Sequence, residues 1–171
     1  MCIQRQKALD KQIEFTTKFE NIGMDYNCSG DQYSPYINCD EHRIMQVLLG
    51  LQSNALKFTQ KGKVETFIEI ISNKEDERFL KICVADTGIG IPAENQDKLF
   101  KLFGFIQDHR DMNVNGIGLG LMISKLIVEK FKGSISFTSR EGIGSCFTFT
   151  FKLQDIVKDE TYESQKFQHL D

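Results

Sequence analysis

This chain has no excess of positive charge. Its formal net charge is −3 at pH 7 and its isoelectric point lies near 5.7, so it carries no electrostatic footprint for DNA or RNA. Cysteine is present without a pattern: Cys2, Cys28, Cys39, Cys83 and Cys146 are odd in number, scattered, and never spaced C-x-x-C. That excludes a zinc ribbon or finger, predicts no disulfide framework, and points to a reducing compartment, the cytoplasm. No apolar run approaches the ~18 residues of a membrane span. The opening Met1-Cys2-Ile3-Gln4-Arg5-Gln6-Lys7 leads into no apolar signal core, and no internal repeat is present. The expectation is a soluble chain, either whole or a piece of something anchored.

What remains is the composition of an ordinary globular protein. The 171 residues are 40% apolar and 26% charged, enough for one domain with a substantial core. Residues 1–12 are polar and read as frayed or as a linker remnant. Ile13 to Glu20 is aromatic and β-branched, suiting a first strand. Asn21 to Cys39, with Gly23, Asn27, Ser29, Gly30, Asp31 and Pro35, reads as loops with room for a short second strand. Lys61 to Asn73 predicts a strand, Lys74-Glu75-Asp76-Glu77 a charged turn, and Arg78 to Asp86 the returning strand. Glu94 to Phe103 predicts a short helix, and Gly104 to Asn115 a polar lid. A helix over 119–132 ends before Gly133, a C-cap. Ser134 to Glu141 and Gly144 to Leu153 predict a closing hairpin. The tail from Gln154 is acidic and expected to be disordered.

The strongest helical pattern runs from Asp40, an N-cap residue, to Thr59. At 100° per residue, Ile44, Val47, Leu48, Leu51, Ala55 and Phe58 fall on one arc, widened by Met45, Leu49 and Leu56. The remaining polar window holds Arg43, Gln46, Gly50, Asn54 and Lys57. It reads either as a solvated face or as a strip looking into a site; its narrowness and the place of Asn54 beside the apolar arc favour the second. There Asn54 can offer its carboxamide oxygen to Mg²⁺, and Lys57, a turn on, can reach a phosphate.

Two glycine-rich stretches sharpen this. In Val84-Ala85-Asp86-Thr87-Gly88-Ile89-Gly90-Ile91-Pro92, a strand ends on a carboxylate followed by spaced glycines. Asp86 can only accept hydrogen bonds, so its natural partner is a donor such as the exocyclic amine of adenine. The glycines let backbone pass close to a flat ligand. In Gly116-Ile117-Gly118-Leu119-Gly120-Leu121, glycines open a helix, where free backbone N–H groups suit a phosphate. Together they suggest a base site and a phosphate site on one domain.

At this point a resemblance becomes specific. Asp40 to Leu48 followed by Ser53-Asn54-Ala55-Leu56-Lys57-Phe58-Thr59 resembles the N box of sensor histidine kinases. Asp86 to Ile91 resembles their G1 box, and Leu99-Phe100-Lys101-Leu102-Phe103 their F box. Gly116 to Leu121 resembles the G2 box, and Gly142-Ile143-Gly144-Ser145-Cys146-Phe147 the last glycine motif. The boxes stand in the right order and spacing over nearly the whole chain, with the domain bounded at 13–153. The implied fold is the GHKL-type α/β two-layer sandwich: a mixed, largely antiparallel sheet, three main helices on one face, and an ATP lid.

The resemblance also implies roles. Asp86 would take the adenine amine, with Ser145 assisting through water, and Gly88 and Gly90 flooring the base. Asn54 would hold Mg²⁺, Lys57 would touch phosphate, and Gly116, Gly118, Gly120 and Leu121 would cradle the β- and γ-phosphates. Arg110 reads equally as a lid cation for the γ-phosphate or as a solvated loop residue. Phe58 reads as core before it reads as a nucleotide flank. Phosphotransfer needs an acceptor histidine on a dimeric helical hairpin, and His42, His109 and His169 lack that context. The implied function is to supply the γ-phosphate of ATP·Mg²⁺ to an acceptor-histidine (dimerisation) domain, in cis or trans, that feeds a response regulator. Two alternatives stand beside it: a non-catalytic nucleotide module, and a gyrase- or chaperone-type ATPase. Relatives of the latter kind place a glutamate base where this chain has Gly50, and histidine kinases place a second asparagine there.

Overall fold

The computed structural model of the protein describes residues 2–20, 39–101 and 119–153. Among them, five strands form one sheet: β1 Glu14–Glu20, β2 Lys63–Ser72, β3 Arg78–Asp86, β4 Ile135–Arg140 and β5 Gly144–Lys152, in the order β1-β2-β3-β5-β4. β1 lies parallel to β2, and the other neighbouring pairs are antiparallel. The sheet is thus mixed and largely antiparallel, as expected. The helices are α1 Cys2–Asp10, α2 Glu41–Phe58, α3 Ala93–Gln96 and α4 Gly120–Lys130.

α2 is the centre of the helical layer. The Asp40 carboxylate accepts the Arg43 backbone N–H at 3.1 Å, which caps the helix start. Thr59 turns extended and ends it. Most of the predicted arc is buried: Ile44, Val47, Leu48, Leu51, Ala55 and, from its widening, Leu56 meet Val64, Leu80, Ile82, Val84, Phe149 and Phe151 of the sheet, while Phe58, Met45 and Leu49 are half-buried. Each such side chain taken fully out of water contributes about 1.5–3 kcal/mol. Gln52 is buried with them, its Nε2 donating to the Thr66 hydroxyl at 3.0 Å. α4 packs against α2 and over β4 and β5. The opposite face of the sheet carries ion pairs instead, Lys18 and Lys63 on Glu65 and Lys81 on Glu69, which water reaches and screens.

The turns follow local chemistry. Between β2 and β3, Asn73 Oδ1 accepts the backbone N–H of both Glu75 and Glu77 at 2.9 Å, with Asp76 at φ 59°. At the end of α4 the left-handed residue is Lys132 (φ 55°), and the Gly133 N–H bonds back to Val128 O.

Three expectations are corrected here. Residues 2–12 are not frayed: α1 packs against α2 and β1, Ala8 and Ile13 join the core, and Lys11 Nζ donates to Leu56 O at 2.7 Å. The helix expected over Glu94–Phe103 is a single turn, Ala93–Gln96, followed by turns through Phe100. Finally, Cys83 and Cys146 form a disulfide between β3 and β5, with Cα atoms 6.6 Å apart. They sit diagonally, because Cys146 lies opposite Ala85, a relation invisible in residue spacing. The short strand within 21–38, the lid over 104–115 and the tail from Gln154 lie outside the described residues.

Candidate functional site

Asp86 is the last residue of β3. Its Oδ1 accepts the Gly88 N–H at 2.9 Å. Burial pushes its pKa up, and backbone hydrogen bonds from Gly88 and Ser145 pull against that without cancelling it. The carboxylate is thus held by main chain rather than by a cation. Ser145 stands opposite Asp86 on β5, and Ser139 stands opposite Ser145 on β4. With side chains alternating along each strand, all three share the helix-covered face, in line with Val84, Phe147 and Phe137. The Ser139 hydroxyl donates to Gly144 O at 3.0 Å and lies 3.0 Å from the Ser145 hydroxyl.

The loop after Asp86 is fastened on three sides. The Thr87 hydroxyl accepts the Lys63 N–H at 2.9 Å, the Ile89 N–H reaches Phe58 O at 3.2 Å, and Ile89 O takes the Gly142 N–H at 2.7 Å. The fit leaves no room for side chains. A Cβ on Gly88 would sit 2.4 Å from Phe58 O, and one on Gly90 (φ 66°) 2.0 Å from Arg140 O. On Gly144 (φ 135°) it would sit 2.0 Å from the backbone oxygen of Asp86 itself. Gln96 Nε2 adds bonds to Ile91 O at 3.0 Å and Ser139 O at 3.3 Å, tying α3 to this loop and to β4.

Both long helices point their relevant ends here. Phe58, the last residue of α2, meets Ile89. Phe131, just past the end of α4, accepts from the Lys152 N–H, and Lys152 pairs with Phe79 at the far end of β3 from Asp86. The start of α4 therefore lies at the Asp86 end. Its N-cap, Leu119, makes no side-chain capping bond, and its first turn holds no acid, so Gly120 and Leu121 open a helix whose dipole suits an anion. Leu121 also packs partly against the core.

The polar strip of α2 divides. Arg43 and Gln46 are exposed and hydrogen-bond each other at 2.8 Å, the solvated-face reading. Asn54 and Lys57 are half-buried near the site end. Desolvation lowers the Lys57 pKa, and its ammonium lies 5.1 Å from the Phe58 ring centroid. Gly50 faces α4, with Ser124 Oγ 3.9 Å from where its Cβ would be. Among the described residues no group of three or more His, Cys, Asp or Glu forms a metal cluster. The Asn54 carboxamide is still an oxygen donor of the kind Mg²⁺ takes singly, beside phosphate oxygens and water, so the donor set fits that ion.

The structure thus gathers Asn54, Lys57, Asp86, Gly88, Gly90, Gly120, Leu121 and Ser145 toward one end of the sheet. Gly116, Gly118 and Arg110 lie outside the described residues. Sequence reasoning missed Thr87, Gln96 and Ser139 as members of this assembly. Thr87 and Gln96 are ordinary loop and helix residues in sequence, and only strand register puts Ser139 beside Ser145.

A family described as histidine kinase-, DNA gyrase B- and HSP90-like ATPases matches residues 39–155. The hybrid signal transduction histidine kinase B of Dictyostelium discoideum is 36% identical over 148 residues, 84% of this chain and 7% of that protein. The sensor histidine kinase WalK of Bacillus subtilis is 38% identical over 129 residues, 75% of this chain and 21% of its own length. The chain thus spans a small fraction of both relatives. The solved catalytic domain of the histidine kinase ThkA superposes with a TM-score of 0.66 at 27% identity, covering 88% of this chain and 86% of that one. Full-length ShkA in complex with AMPPNP gives a TM-score of 0.69 at 25% identity, over 88% of this chain and 28% of that one. Among the described residues, no helix is long and apolar enough to cross a membrane. By sequence and by fold alike, the chain belongs to the histidine kinase-, DNA gyrase B- and HSP90-like ATPases, and it is homologous to the ATP-binding catalytic domains of sensor histidine kinases.

Proposed function

We propose that this chain binds ATP·Mg²⁺ and supplies the γ-phosphate to a histidine on a separate dimerisation domain, in cis or in trans, within a phosphorelay that ends on a response regulator. The observation that carries the reading is Asp86: an acceptor-only carboxylate fixed by main-chain N–H groups, at the sheet end where α2 stops and α4 starts. Asp86 accepts the adenine amine, with Ser145 beside it. Gly88 and Gly90 keep the wall flat against the ring. The start of α4, at Gly120 and Leu121, meets the phosphates with main-chain N–H groups, helped by Gly116 and Gly118. Lys57 and Arg110 bring positive charge to the phosphates. Asn54 would hold Mg²⁺, which when bound neutralises phosphate charge. No covalent intermediate on the chain is needed, because positioning and charge stabilisation carry phosphoryl transfer. That ShkA was solved with AMPPNP is consistent with a nucleotide in this kind of fold.

Asp86→Asn tests the reading. In a folded variant, ATP affinity measured by titration calorimetry should fall by about 1.5–3 kcal/mol, as for a lost hydrogen bond to a charged group. The wild-type chain should bind ATP, leave His42, His109 and His169 unlabelled, and phosphorylate an added acceptor hairpin. Unchanged affinity in Asp86→Asn removes Asp86 from the site. Acid-labile phosphate on the chain's own histidines overturns the separate-acceptor part. Gly50 favours a second reading, a nucleotide-binding module without transfer, since it offers no oxygen one turn before Asn54. ATP bound but never transferred to any acceptor hairpin would establish that instead.

A further inference from the structure

The row Asp86, Ser145, Ser139 contains a proton count that fixes more than position. A serine hydroxyl has one proton to donate and lone pairs to accept with. Ser139 Oγ lies 3.0 Å from Gly144 O, and a carbonyl can only accept, so the Ser139 proton is committed there. The second contact, 3.0 Å between Ser139 Oγ and Ser145 Oγ, must then be donated by Ser145. Its own proton is used, and what the Ser145 hydroxyl has left for a neighbour is lone pairs. Asp86 is likewise an acceptor and nothing else. Register holds the three residues in line, and Gln96, bonded to Ser139 O, holds Ser139 from the side.

We infer that Ser139 is a positioning residue for base choice: by consuming the proton of Ser145, it makes the base site an acceptor-only row that selects a purine bearing an exocyclic amine over a 6-oxo purine. This deepens the proposed nucleotide reading and rests on it. An amine donates to such a row. A 6-oxo group brings lone pairs to the place where the amine brought a proton, and two acceptors facing each other there are repelled, even though such a purine carries its proton on the neighbouring N1. Remove the Ser139 hydroxyl and the Ser145 proton is released; it can then rotate toward the site and donate to a 6-oxo group.

The test is titration of ATP and ITP into wild type, Ser139→Ala, Ser139→Thr, Ser145→Ala and the double variant Ser139→Ala/Ser145→Ala. Wild type should prefer ATP. In Ser139→Ala the ATP-to-ITP affinity ratio should fall by about threefold to tenfold, the worth of one neutral hydrogen bond. Ser139→Thr, which keeps a hydroxyl, should retain the wild-type ratio. In the Ser145→Ala background, adding Ser139→Ala should leave the ratio where it was, because there is no longer a proton to release. A purely structural Ser139 would weaken both nucleotides together. An unchanged ratio in a folded Ser139→Ala protein that still prefers ATP overturns the inference alone. A wild type that binds neither nucleotide, or both equally, overturns the base-site reading beneath it. Should Ser139→Ala fail to fold, Ser139→Cys gives the same comparison with a weaker donor and acceptor, and an unchanged ratio there again overturns the inference.

Discussion

The end of the candidate site proposed for the base and the end proposed for the phosphates are built from different materials. At the base end, glycines stand where backbone presses on backbone: a Cβ on Gly88, Gly90 or Gly144 would lie between 2.0 and 2.4 Å from a carbonyl oxygen. At the phosphate end, glycines stand in the open. Nothing described lies within 4 Å of a Cβ on Gly120, and Gly50 has only Ser124 Oγ at 3.9 Å. The base end is thus a rigid mould cast in main chain, in which Asp86 is held by N–H groups of Gly88 and Ser145. The phosphate end depends on side chains of α2 and on a helix start. Rigidity where a flat ring must be told from another ring, and openness where flexible phosphates arrive, is a sensible division.

The contrast breaks most visibly at Gly144. Gly144→Ala puts a Cβ onto the Asp86 carbonyl at a φ that side chains rarely adopt. It should cost about 3 kcal/mol or more of stability, read as a lower midpoint in urea unfolding. If the midpoint held, the mould would be softer than its geometry.

The next effect is on pH. The Asp86 pKa is raised in the fold, chiefly by burial. Folding therefore disfavours its charged form, so this residue weakens stability above the raised value. That penalty fades as pH falls through it toward the ordinary carboxylate range. Binding has the opposite slope. The charged form is the better acceptor for an amine, so ATP affinity should decline as pH drops through the raised pKa, while the fold persists. Calorimetric titrations across the acid range would show this limb, and Asp86→Asn should abolish it.

Smaller effects belong to the open end. Gly120→Ala should stabilise the chain by less than the roughly 0.5–1 kcal/mol of a helix interior, because alanine loses less backbone freedom at this first helical position and meets nothing among the described residues. Thermal melting would detect it, and a loss of stability would mean the position is crowded after all. Gly50→Asn has room for its Cβ and restores an oxygen one turn from Asn54. It should lower the Mg²⁺ concentration needed for ATP binding, with little change in melting temperature. Abolished nucleotide binding in this variant would mean that Gly50 is there for space.

Much of this was legible in sequence because it is local. The Asp40 cap, the buried arc of α2, and the alternation ending at Asp86 each depend on residues within a few positions. What escaped depends on distant chain. α1 has little apolar signal of its own; Ile3 and Leu9 are exposed, and Ala8 is buried only because α2 is there. The Cys83–Cys146 bridge spans 63 residues and needs the β3–β5 register. Gln52 looks polar yet is 2% exposed, its Nε2 meeting Thr66 while its Oε1 has no hydrogen-bond partner among the described residues. Ser139 is one serine in an alternating strand until β5 lies beside it. Roles for Asn54 and Lys57 came from the polar strip of α2 together with the resemblance, and their neighbourhood is compatible with those roles.

The one parallel pairing in the sheet has a kinetic consequence. The hairpins close contacts between near neighbours: Asn73 and Glu77 are four residues apart, Ser139 and Ser145 six. β1 meets β2 only across long loops of chain, as with Lys18 and Glu65, 47 residues apart, and the crossover between them contains α2 itself. Closing so large a loop costs entropy that short hairpins do not meet. The β3–β5 pairing spans more still, 63 residues at Cys83 and Cys146, so the order of assembly that follows is the β2–β3 and β4–β5 hairpins early, and the β1–β2 and β3–β5 pairings that join the distant pieces later.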